Sequence, residues 1–181
     1  MFYQQASNLP FTLFKNMDVS PASLLFFDKK SGEWVGQSWQ EIAQRTHDIA
    51  KFLITIGIKA DDKVMISSEN RSEWAIANIA IMSIGAVAVP AYTTLTQLDY
   101  EFLIQHSETR CIFTSSGNLA KTLRLAAEKV GNVEALIYFD KILKPNKNVL
   151  IREYDLSNVK TNQKLDQNFL SAVEKIPKEN I

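Results

Sequence analysis

Six glycines, Gly32, Gly36, Gly57, Gly85, Gly117 and Gly131, decide first what chemistry this 181-residue chain could do. A phosphate cradle needs clustered glycines, because backbone N–H groups must reach the oxygens without a Cβ in the way. The closest pair is Gly32 and Gly36, in a stretch reading Gly-Glu-Trp-Val-Gly. Neither a Walker A loop nor a dinucleotide-binding fingerprint is present. Ser115-Ser116-Gly117-Asn118 stands between an apolar run and an amphipathic one, where an anion could meet a helix N-terminus. It has one glycine and no following lysine, so it reads as a strand–helix turn with Asn118 as the cap.

The other reactive side chains are scattered. His47 lies beside the apolar face of a helical stretch and His106 near a helix end. Neither has a partner at ligand or triad spacing, so surface or helix-end roles are expected. Cys111 opens an apolar strand, the usual place of a small buried hydrophobe. Asp61-Asp62 follows Gly57-Ile58-Lys59-Ala60 and precedes Lys63, which describes a solvated turn better than a metal site. No catalytic, cofactor-binding or metal-ligating residue is assigned.

Composition narrows the setting. Lys+Arg and Asp+Glu are equal at 20 each, which argues against broad affinity for nucleic acid or anionic membrane. One cysteine excludes an internal disulfide, and Met1 to Pro10 lacks the charge and apolar core of a secretory signal. Trp74 to Leu98 is uncharged, but Gly85 and Pro90 interrupt it before it reaches spanning length. A cytoplasmic protein without a transmembrane segment is expected.

The elements follow from periodicity. Residues 24–39 read as a hairpin around Asp28-Lys29-Lys30-Ser31-Gly32. Ser38 and Glu41 form a capping box before a helix at 38–56, whose face carries Ile42, Thr46, Ile49, Leu53 and Ile56. Asn70 with Glu73 suggests a second box for a helix at 71–84. Thr96 with Asp99, stapled by Leu95 and Tyr100, opens a helix at 96–107, and a further helix spans 118–130. Apolar runs at 63–67, 86–90, 111–115 and 135–139 alternate with these helices. Such alternation specifies an α/β fold with a doubly wound, mostly parallel sheet and flanking helices, preceded by the β-hairpin.

Charge marks a boundary. The first 140 residues carry 12 basic and 15 acidic side chains, the last 41 carry 8 and 5. The change coincides with Lys144-Pro145-Asn146-Lys147-Asn148. We therefore expect an α/β part over 1–143 and a less regular continuation over 144–181, in which Val149-Leu150-Ile151 could add a strand.

The order of several segments goes further. Ser38-Trp39-Gln40-Glu41, Gly57-Ile58-Lys59-Ala60-Asp61-Asp62-Lys63-Val64 and Ser68-Glu69-Asn70-Arg71-Ser72-Glu73-Trp74 resemble the adenylate-forming acyl-CoA synthetase superfamily. So do Ile84-Gly85-Ala86-Val87-Ala88-Val89-Pro90-Ala91-Tyr92-Thr93-Thr94-Leu95 and Ile112-Phe113-Thr114 after Ser107-Glu108-Thr109-Arg110. The Glu-Asn-Arg-x-Glu-Trp and Pro-Ala-Tyr-Thr-Thr-Leu forms look most like bacterial long-chain fatty-acid–CoA ligases. The resemblance runs over about residues 20–140 in consistent order.

This resemblance implies the N-terminal portion of an AMP-binding domain. It also implies, for the full-length family, a reaction in which ATP, Mg and a fatty acid give an acyl-adenylate and the acyl group then passes to coenzyme A. The family's phosphate loop with its lysine, adenine segment, ribose-binding aspartate and C-terminal lysine would all lie beyond Ile181. The chain alone is therefore expected to be inactive and to hold no cofactor. The remainder of a split synthetase is its expected partner, with self-association through uncovered surface. The alternative is a noncatalytic α/β module that binds another protein.

Overall fold

The computed structural model describes residues 7–141, 151–159 and 164–177. In chain order the elements begin with α1 (Leu9–Val19), β1 (Leu24–Lys30), β2 (Glu33–Ser38) and α2 (Trp39–Thr55). There follow β3 (Lys63–Ser67), α3 (Ser72–Met82), β4 (Val87–Pro90), α4 (Gln97–Ser107) and β5 (Thr109–Thr114). Last come α5 (Asn118–Val130), β6 (Ala135–Tyr138), β7 (Arg152–Asp155) and α6 (Gln167–Glu174). The chain divides into two compact units, one of residues 1–60, 71–86 and 160–181, the other of residues 61–70 and 87–159.

The second unit carries a five-stranded parallel sheet in the order β4-β3-β5-β6-β7. The chain moves from β3 to one neighbour, β4, and then returns past it to β5, β6 and β7, the order of a doubly wound sheet. Side chains of both alternations are buried in β3, β5 and β6: Val64, Met65, Ile66, Cys111, Ile112, Phe113, Leu136 and Ile137 are all at 0% exposure. That is why these strands read as continuous apolar runs rather than alternating ones. Met65, Ile112 and Leu136 share one cluster with Tyr100 and Ile104 of α4 and Leu123, Ala126 and Ala127 of α5.

Charge fixes the amino ends of the strands. Asp62, just before β3, accepts from Arg110 of β5; Arg110 also donates to Glu134, just before β6, which in turn pairs with Arg152 of β7. A row of alternating sign thus crosses the starts of four neighbouring strands.

Among the described residues, the first unit holds the hairpin and four helices. The Ser38–Glu41 capping box is formed in both directions, and α2 buries Ile42, Ala43, Ile49, Ala50 and Leu53. β1 pairs antiparallel with β2, and Gly36 lies so close to β1 that a Cβ there would meet Leu24 Cδ1 at 2.6 Å. Asp28 projects from β1 to α3, accepting from Ser72 Oγ at 2.6 Å and from the Ser72 N–H at 3.3 Å. Gly85, at φ +73°, separates α3 from β4, and a Cβ there would lie 3.2 Å from that of Ala60. An L-residue would meet both strain and crowding at that stop.

Two expected caps are corrected. α3 begins at Arg71 as N-cap with no side-chain cap, not at Asn70. Asp28 reaches the first turn from β1, while Glu73 is engaged by Arg71 Nε at 3.1 Å. The Asn70–Glu73 pairing thus lost to a partner 44 residues away, which a local motif does not show. Asn118 is the first residue of α5 rather than its cap; Gly117, at φ +82°, takes the cap position without a side-chain bond.

Two helices, α1 and α6, arise where no helix was expected. Asn8 caps α1 through the Phe11 N–H at 2.8 Å and Asp166 caps α6 through the Phe169 N–H at 2.7 Å. The expected strand at 149–151 lies largely outside the described residues; Ile151 is buried, and β7 starts at Arg152. The polar run 144–148 also lies outside them.

Asp28→Ala should lower stability by about 1–2 kcal/mol, since it removes the partner of two Ser72 donors. Asn70→Ala should change it by less than about 0.5 kcal/mol, as for a residue outside the cap. Urea midpoints of the two variants check both; equal losses would restore the Asn70 cap.

Candidate functional site

In a doubly wound sheet, ligands bind outside the carboxyl ends of the strands where the order reverses. Here that place is between β3 and β5, neighbours that lead to β4 on one side and β6 on the other. Ser67 ends β3 and stands beside Thr114, the end of β5. Ala91 N–H donates to Ile66 O at 2.9 Å, so the chain leaves β4 still attached to β3. Pro90 is tolerated in β4 because this strand is an edge.

A buried phenol holds this end together. Tyr100 Oη donates to the Tyr92 carbonyl at 2.6 Å, so the Ser67 hydroxyl, 2.9 Å away, donates to the phenolic oxygen. Tyr100 is wholly buried, and burial raises its pKa above the usual phenol range against the opposing bond from Ser67. The same contacts leave the Tyr92 ring 81% exposed, in the loop beyond β4.

The turn after β5 closes the other side of the switch point. Ser116 N–H donates to Asp140 at 3.1 Å, and Ser115 is buried with its hydroxyl unpartnered among the described residues. The groups assembled here are hydroxyls, a phenol and one carboxylate. They can orient a neutral polar group. An anion approaching the Ser116 N–H would meet the Asp140 carboxylate already bound there.

The remaining candidates separate. His47 is at 0% exposure, which overturns the expected surface role: its ring sits against Phe169 of α6 with centroids 4.8 Å apart. Nothing in the local helical pattern announced α6, so nothing announced that burial. His106 occupies the last turn of α4, stacked on Phe102. Cys111 is fully buried, and burial pushes its thiol up to about 12. Asp61 is exposed in the turn as expected, but Asp62 is engaged by Arg110. Among the described residues, no group of three His, Cys, Asp or Glu side chains could hold a metal ion. No described helix is long and apolar enough to cross a membrane.

Sequence reasoning missed the Tyr100–Ser67–Tyr92 node and the Arg110 row. Tyr100 was legible only as one half of a hydrophobic staple, because its hydroxyl partner lies 33 residues away.

The fold and its reversed strand order define the class of doubly wound α/β domains, and the family match is narrower. Residues 14–174 match the family of AMP-binding enzymes. The chain belongs to that family. It is 32% identical over 129 residues to the long-chain-fatty-acid–CoA ligase FadD15 of Mycobacterium tuberculosis, covering 71% of this chain and 21% of that protein. Against fatty acyl-CoA synthetase A of Dictyostelium discoideum it is 25% identical over 156 residues, 86% of this chain and 22% of the other.

The chain thus spans about a fifth of the length of these curated relatives. Among solved structures, the luciferase-like enzyme of the Zophobas morio mealworm superposes with a TM-score of 0.74 at 18% identity, over 90% of this chain and 37% of that one. A Mycobacterium tuberculosis fatty acyl CoA synthetase gives 0.65 at 22% identity, over 73% and 26%. Both show the shared fold.

Tyr100→Phe should cost about 1–2 kcal/mol, because it leaves the buried Ser67 hydroxyl and the Tyr92 carbonyl without their shared partner. A urea midpoint equal to that of the parent would show that this node does not hold the crevice.

Proposed function

We propose that this chain carries the N-terminal part of a long-chain fatty-acid–CoA ligase and that its 181 residues alone do not catalyse the family reaction. In that reaction a fatty acid and ATP give an acyl-adenylate and diphosphate; coenzyme A then takes the acyl group and AMP leaves. The observation that carries the reading is the match over 14–174 to AMP-binding enzymes in a chain with no clustered glycines followed by lysine. Without such a loop nothing here offsets triphosphate charge or aligns it for attack by a carboxylate. The hydroxyl-lined switch point is then a supporting wall, and the reacting groups come from the rest of the enzyme. A cytoplasmic setting suits this chemistry.

The partner in this reading is the remaining portion of a synthetase. Support comes from the hairpin, a two-stranded sheet, an arrangement only marginally stable by itself. It leaves Phe27 56% and Trp34 68% exposed. In the other unit, Leu98 and Phe102 stand one turn apart on α4, both largely exposed. Apolar surface of this kind calls for a cover.

The purified chain should show no fatty-acid-dependent ATP–pyrophosphate exchange above the buffer rate. Exchange that rises with added fatty acid would overturn the reading. The isolated chain should also scatter light and bind a hydrophobic dye, and co-expression with the missing portion of a synthetase should suppress both. A monomer with negligible dye binding would favour the noncatalytic module instead.

A further inference from the structure

The seat of α6 contains a titratable group that no catalytic reading uses. Gln44 Oε1, on α2, accepts from the Leu165 N–H at 3.2 Å, two residues before α6. Its amide nitrogen donates to Asp48 Oδ1 at 2.9 Å and lies 3.4 Å from His47 Nδ1. The two ends of this amide are therefore assigned by their partners, and Nδ1 faces an N–H donor. Nδ1 must accept, so the proton of the neutral ring sits on Nε2. Nε2 makes no hydrogen bond among the described residues and lies 3.8 Å from Asp166 Oδ2.

A second proton on His47 would enter at Nδ1, against the Gln44 NH2. The nearest acceptor for that proton is Asp48 Oδ1, 3.6 Å away and already held by the Gln44 amide, so the proton and the amide would compete for it beside a ring with no solvent exposure. Turning the Gln44 amide over relieves that competition but presents NH2 to the Leu165 N–H, which loses its acceptor. We propose that His47, Gln44 and Leu165 form a proton-operated latch that holds the amino end of α6 on α2 while His47 is neutral and releases it on acidification.

The charges around the ring are Asp48, whose Oδ1 is 3.6 Å from Nδ1, Asp166, and Lys51, whose Nζ is 3.5 Å from Asp166 Oδ2. Burial is the largest influence and holds the imidazole below the ordinary histidine range; Asp48 and Asp166 oppose this, and Lys51 adds to it. A histidine depressed in the folded state contributes stability above its unfolded value of 6.5. That contribution is lost as pH falls from there through the folded value.

The test is hydrogen exchange over residues 164–176 of the full chain, with each rate divided by its intrinsic rate at that pH. Between about pH 7.5 and about pH 5.5 the opening of this segment should rise several-fold, at most about tenfold per pH unit for one proton. His47→Phe should remove the rise. Gln44→Glu, whose carboxylate can accept from both Nδ1–H and Leu165 N–H, should also remove it and move the His47 titration above 6.5. Wild-type protection independent of pH, or a rise retained in His47→Phe, overturns the latch. Should His47→Phe fail to fold, the wild-type His47 titration followed by NMR decides: a value above 6.5 overturns it.

Discussion

Parallel strands have no tight turn to set their register, so something else must hold each strand against its neighbour. In the five-stranded sheet that constraint is met at both ends. At the amino ends, Asp62, Arg110, Glu134 and Arg152 alternate in sign across β3, β5, β6 and β7. At the carboxyl ends, the Tyr100 phenol ties the loop after β4 to the end of β3. A slip of one residue would break every one of these pairs and turn the alternation of each strand over. Single exposed ion pairs contribute little, but a row that shares Arg110 and Glu134 orders several groups for each side chain fixed.

The same device limits what the carboxyl edge can do. Tyr100 uses its only proton on a backbone carbonyl, and the Ser67 proton goes to Tyr100. A serine whose hydroxyl is spent in this way is not poised as a nucleophile, because no base is left to receive its proton. Asp140, the acid at the edge, binds the turn that precedes α5. At the switch point the Tyr100, Ser67 and Asp140 groups are already committed, which suits a wall that other segments complete.

What the sequence made legible is what is local. The capping boxes at Ser38–Glu41 and Thr96–Asp99 formed as the spacing requires, and all four expected strands appeared within two residues of their expected limits. Fully buried strands and stop glycines are strong signals because each rests on a few adjacent residues. The failures share a cause: Asp28 displaced Asn70 from α3, and α6 covered His47, through contacts separated by dozens of residues. Helix α1 was missed for a different reason: Asn8 and Pro10 do mark a helix start, but the run that follows has no clear apolar stripe. The family itself was readable in segment order, where no single segment would have sufficed.

The first unit shows how discontinuous segments are joined when no sheet connects them. Asn8 caps α1 with its carbonyl oxygen and, with its amide nitrogen, donates to the Val173 and Ile176 carbonyls at the far end of α6, at 2.7 and 3.1 Å. One side chain therefore satisfies orphan groups of two helix termini at once. Phe169 packs edge-on to Phe14 between these ends. None of these contacts contains a titratable group, whereas the Gln44–His47 seat at the amino end does, with the imidazole held below the ordinary histidine range by burial. The two ends of α6 thus differ in kind, one fixed at all physiological pH and one conditional on a proton. Loss of the conditional end loosens α6 from Asp166 through Phe169, whose ring packs on His47, while the Asn8 bonds still hold its carboxyl end.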